Sequence, residues 1–252
     1  MRIILGLLCF SIVLYVLATQ ALFHYGEDIK LATRLVRIAE SLISGHPNEH
    51  TLRSQLSNTI CSITSFVEPS QALTERSLSG YKSAQIVGDV DRAMLSSLVY
   101  CLTYIYCIPD LIGAQRKMDY FVQQSVSFMH VFSPNTVRFS HVVSSNPKVK
   151  HRRKAVLHSL MCLSDVFTAL MGCTIDVGEE MMHNEELLHI AEKTNNSFLM
   201  LQVIVGQMYI ACYFRNYCSV VDFGEKYRMH SPKTGVRRAL DVFRVFFEGI
   251  GE

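Results

Sequence analysis

The residues whose types and spacing could do chemistry are two Glu-x-x-His pairs, Glu180 with His183 and Glu186 with His189. Residues three apart share a helix face and can bite one metal, which is how di-metal carboxylate bundles use the spacing. Here both pairs fall on one helical stretch, six residues apart, which turns them about 240° around the axis from each other. A dinuclear centre needs its pairs on different helices. The pattern therefore suits a solvent-facing helix side better than a metal site. Eight cysteines stand at positions 9, 61, 101, 107, 162, 173, 212 and 218, most of them inside apolar helical patterns. No Cys-x-x-Cys occurs, so a zinc site has no support. Cys101/Cys107 and Cys212/Cys218 are six apart, on different faces of any helix. Buried free thiols in a reducing, cytoplasmic setting are expected, because free cysteine behaves as a small hydrophobe.

Other chemistries lack their motifs. There is neither a GxxxxGK[ST] phosphate loop nor a GxGxxG turn, and HExxH and GxSxG are missing. No catalytic, cofactor-binding or metal-binding residue is expected, and the chain reads as a non-enzyme. Met181-Met182 and the Tyr/Phe-rich helices read as core. Lys148, Lys150, Arg152, Arg153 and Lys154 put five cations in seven residues. Such a run could serve as a localisation signal or a phosphate-binding patch; without interleaved aromatics it reads rather as a solvated loop entering a helix.

The elements that would carry these residues are helical. The chain has 252 residues, 49% apolar and 18% charged, with six prolines, no tryptophan and a net charge of +2. Such a composition excludes extensive disorder and advertises no global field for nucleic acid. Residues 1–23 are the ambiguous stretch. Ile3 to Ala18 is almost wholly apolar, which fits a packed helix, a membrane anchor or a cleaved signal. The next segment carries two apolar stripes, one of Ile29, Ala32, Val36, Ala39 and Ile43 and one of Leu31, Leu35, Ile38 and Leu42. Two stripes need a neighbour on each side, and 1–23 is the natural second neighbour. Removal of a signal would also leave seven cysteines, an awkward number for a secreted chain.

Further helices are expected over about 49–66, 69–87, 89–108, 110–129, 153–171, 176–194, 196–215, 217–228 and 236–247. Gly45, Gly88 and Gly172 end helices; Asp89 and Asp176 cap them; Asn195-Asn196 marks a turn. The plan is all-α, an α-solenoid of antiparallel helical hairpins with ten or eleven helices. Residues 1–131 and 151–252 form two blocks, and 132–150 is a polar and basic loop between them.

The run Gly80-Tyr81-x3-Gln85-x2-Gly88-Asp89-x3-Ala93, with Tyr100-Cys101 beyond it, resembles the tetratricopeptide-like helical region of large multidomain STAND/AAA-type signalling ATPases. Asp176 to Glu180, Asn195-Asn196 and Arg215-Asn216-Tyr217 continue the resemblance. At the last of these the family has a Gly-Asp-Tyr-like junction, and here the glycine is missing. The resemblance covers roughly 12–250 and is poorest over 132–150. It implies a non-catalytic scaffold in signal transduction, bound to a protein or peptide partner or to neighbouring domains. The family's ATPase, kinase and cyclase modules are not in this chain. The alternative is a helical protein, membrane-anchored or secreted, that uses residues 3–23 as its anchor or signal.

Overall fold

The computed structural model describes residues 29–46, 48–65, 67–105, 110–131, 147–171 and 177–230. Among them there are nine helices and no strand: α1 (Ile29–Ile43), α2 (Glu49–Thr64), α3 (Ser70–Val87), α4 (Val90–Tyr104), α5 (Leu111–Val131), α6 (Pro147–Leu170), α7 (Val177–Lys193), α8 (Ser197–Tyr213) and α9 (Tyr217–His230). The all-α expectation holds. The count is nine against the expected ten or eleven, and the helices read at 1–23 and 236–247 lie outside the described residues.

The chain divides into two compact units, Met1–Ile108 and Pro109–Glu252. This division falls well before the 132–150 stretch that composition marks as a separator. The reason is that α5 packs against α6, across that stretch, and so belongs to the second unit.

In the first unit each helix packs on its sequence neighbour, and α2 also reaches α4. One stripe of α1 drives the first contact. Ala32, Val36, Ala39 and Ile43 are buried against Leu52, Leu56, Ile60 and Ile63 of α2, and each large side chain contributes about 1.5–3 kcal/mol of gross burial. Small residues set the next approach. A Cβ built on Gly80 of α3 would overlap Ser57 of α2, 2.5 Å from its Cβ, and would lie 3.4 Å from the Ser96 hydroxyl of α4. Three helices thus converge on a residue without a side chain. On α4, Ala93, Met94, Ser97, Leu98 and Cys101 are buried at helical spacing, with Ser96 and Tyr100 buried beside them.

In the second unit α6 packs against α5, α7 and α8, and α8 also against α7 and α9. Polar cross-links accompany the apolar packing. Gln115 donates to Thr168 (2.9 Å), Ser164 to Asp119 (2.8 Å), and the buried Gln202 amide to the Ser159 carbonyl (2.8 Å). Helix α6 corrects the sequence reading. It begins at Pro147, so the 148–154 basic run lies within a helix and is not a loop. Proline suits a first helical turn, where its missing N–H removes no bond. Arg153 is also buried, not solvated.

Candidate interaction surfaces

Three inter-helix junctions share one geometry. At α3/α4, Gly88 is left-handed (φ 73°), at α7/α8 Asn195 is (φ 49°), and at α8/α9 Arg215 is (φ 57°). In each, the left-handed residue's N–H donates to the carbonyl three back: Gln85 (3.2 Å), Glu192 (3.0 Å) and Cys212 (3.0 Å). The following N–H reaches an alanine carbonyl five back: Ala84 (2.9 Å), Ala191 (2.8 Å) and Ala211 (2.8 Å). This is the Schellman closure of a helix C-terminus. The residue that completes it then caps the next helix. Asp89 accepts from the Arg92 N–H (3.1 Å), Asn196 from Leu199 (3.1 Å) and Asn216 from Ser219 (3.3 Å). One residue therefore satisfies the end of one helix and the start of the next, so the chain reverses within three residues or fewer. All three alanines are buried.

Among the described residues, the α8/α9 junction carries the densest run of exposed aromatics. Tyr213 and Phe214 are each 56% exposed and meet edge to face at 5.3 Å, and Tyr217 and Val221 are exposed beside them in sequence. Beneath, Met208, Val220 and Tyr227 form a buried cluster, with Tyr209 and Phe223 packed on it. Burial, with Cys212 and Tyr213 nearby, raises the Tyr209 hydroxyl pKa. Exposed rings held in fixed geometry over a firm core, next to an arginine, are the side chains that dominate protein-protein hot spots.

A second polar centre lies in the first unit. Arg76 of α3 donates to Glu40 of α1 (2.7 and 3.4 Å), to Thr64 (3.0 Å) and to Glu68 (2.5 Å). Burial works against the arginine's charge, but the hydrogen bonds and charges of Glu68 and Glu40 outweigh it and raise its pKa further. Every strong contact goes to the protein's own groups. The adjoining cavity, lined by Glu40, Ile43, Arg53, Ser57, Ile60 and Arg76, measures about 20 Å³, room for about one water. This centre holds helices together and has no space for a substrate.

The residues singled out from sequence are scattered. Glu186 and His189 are exposed on α7, while the side chains of Glu180 and His183 lie outside the described residues. Among the described residues no group of three or more His, Cys, Asp or Glu could hold a metal. Cys61, Cys101 and Cys162 are buried free thiols; Cys218 is free and exposed. Burial raises the pKa of all three buried thiols, that of Cys162 to about 12 with help from Asp165. Such thiols are poor nucleophiles and poor ligands. No helix among the described residues is long and apolar enough to cross a membrane, and residues 3–23 lie outside them. Sequence reasoning missed the Arg76 clamp and the left-handed Arg215. Neither has a local signal, because the partners of Arg76 lie 8 to 36 residues away and arginine is not a turn former. Comparison of the chain with protein-family models and with curated proteins finds no match.

Proposed function

We propose that this chain is a non-catalytic helical-repeat scaffold, a stack of tetratricopeptide-like hairpins that presents its surface to a protein or peptide partner or to neighbouring domains of a signalling ATPase. The observation that carries the reading is the triple recurrence of one junction, with buried alanine, left-handed residue and Asx cap in the same order. Recurrent junctions between neighbour-packed helices are what a repeat array needs. The skipped-neighbour contacts, α2 with α4 and α6 with α8, fit the same plan. The aromatic run at the α8/α9 junction is the surface we assign to the partner.

The test is selection of peptides from a displayed library on the immobilised full chain, followed by titration of the winners. Saturable binding should fall at least about tenfold in a Phe214→Asp/Tyr217→Asp variant, the scale of a lost hot spot, with helicity unchanged. Binders indifferent to that variant would overturn the surface assignment. Saturable ATP binding by the chain would overturn the scaffold class.

A further inference from the structure

Of the three reversing junctions, two place glycine or asparagine in the left-handed conformation, at Gly88 and Asn195, and the third places Arg215 there. Glycine enters that conformation without a steric penalty, and asparagine is eased into it by its short polar side chain. Arginine has neither advantage. A strained residue held on the surface points to a use for its side chain. The surroundings of Arg215 define that use. From Thr194 to Val221 it is the one charged residue in the chain. It is exposed, with the exposed rings of Tyr213 and Phe214 just before it and that of Tyr217 just after. Among the described residues no carboxylate is paired with it.

We propose that Arg215 anchors a carboxylate of the partner, a linear peptide with an Asp or Glu side chain beside an aromatic or branched apolar one. The inference rests on the assignment of the α8/α9 junction to a partner and names what that partner must carry. One guanidinium matches one carboxylate, which it holds through two parallel N–H···O bonds. A phosphorylated peptide brings close to two charges and is met by clusters of arginine. Nucleic acid and anionic lipid surfaces likewise call for a patch of cations. Here the next cation along the chain is Lys226, which sits over the Phe223 ring at 5.3 Å. A second copy joined two-fold through this run would bring Arg215 toward its own equivalent. The edge-to-face pair of Tyr213 and Phe214 offers a fixed apolar surface to the side chain next to the carboxylate. Excluding water there strengthens the ion pair.

The probe is a displayed library of random linear peptides, selected in parallel on the full chain and on its Arg215→Glu variant. Winners on the unaltered chain should be enriched several-fold in Asp or Glu next to an aromatic or branched apolar residue. Winners on Arg215→Glu should carry Lys or Arg there instead, since reversing one charge reverses the choice of partner. Changing the acidic residue of a synthetic winner to its amide should weaken binding to the unaltered chain at least about tenfold. The same change should have no measurable effect on binding to Arg215→Gln. Arg215→Lys, which keeps the charge and loses the fork, should restore only part of the affinity. Peptides that need Phe214 and Tyr217, show no acidic enrichment and bind Arg215→Gln as tightly would overturn the carboxylate anchor and leave the surface standing. Peptides indifferent to Phe214→Asp/Tyr217→Asp would overturn the surface itself. Displacement by inorganic phosphate and not by acetate, at equal ionic strength, would assign Arg215 to a phosphate and overturn the proposal as well.

Discussion

Arg215 holds a backbone conformation that chain chemistry reserves for glycine, and it does so on the surface, where its side chain is exposed. An L-residue there costs about 1–2 kcal/mol, and glycine gives back about 0.4–1 kcal/mol through its freer unfolded chain. Arg215→Gly should therefore stabilise the second unit by roughly 0.5–1 kcal/mol, read as a higher denaturant midpoint. The mirror change, Gly88→Ala, should cost about 1 kcal/mol. A Cβ at Gly88 meets nothing within 4 Å, so that loss would be conformational and not steric. At this scale sequence was a good guide where residue type and geometry agree. Gly88, Asp89 and Asn195-Asn196 were legible because glycine and Asx residues have strong turn preferences. Arg215 was not, since arginine has no turn preference and only the backbone reveals its left-handed conformation.

Among the elements, α1 and α3 are joined by one arginine, and the size of that effect can be checked. Arg76 is 18% exposed and Glu68 15%, while Glu40, at 30%, is better solvated. Removing the cation leaves two carboxylates facing each other with little water. Arg76→Met should destabilise the first unit by about 1–3 kcal/mol, and a double-mutant cycle with Glu68→Gln should recover part of the loss. Additive losses would show that the pair is not coupled. His158 on α6 supplies a pH test. Partial burial and Lys154 lower its pKa, and Glu186 of α7 opposes them. The unfolded chain, with an ordinary value near 6.5, then binds the proton more readily than the folded one. Stability should fall as pH drops below about 6.5 and level off below the depressed folded value. His158→Gln should flatten that slope, as followed by urea midpoints from about pH 7.5 to about pH 5. Element limits were mostly readable from sequence, as Pro69 ahead of α3 and Asp110 ahead of α5 illustrate. The start of α6 was not, because a cluster of like charges reads as a loop until Val156, Leu160 and Leu163 are seen buried along the same helix.

For the molecule as a whole, periodicity and composition made the helical class legible, and the absence of chemical motifs turned attention to surfaces. The division into units was not legible, since it depends on which helix α5 packs against. The surface with most to offer a partner was equally hidden, because Tyr213, Phe214 and Tyr217 read as core until burial separates them from Tyr227. The central claim is that neighbour-packed helices joined by a recurring junction behave as a repeat array, in which a local defect fades with distance along the stack. Helix α9 packs on α8, α8 on α6, and α6 on α5, so α5 and α9 are the far ends of one chain of contacts within a single unit. The most direct measurement is hydrogen exchange by mass spectrometry on the full chain with and without Asn216→Ala, which removes the cap of α9 at a cost of about 1 kcal/mol. Exchange should speed up most in Tyr217–His230, less in Ser197–Tyr213, and not measurably in Leu111–Val131. An equal loss of protection in all three helices would mean that the unit is one cooperative globule, and would contradict the repeat account.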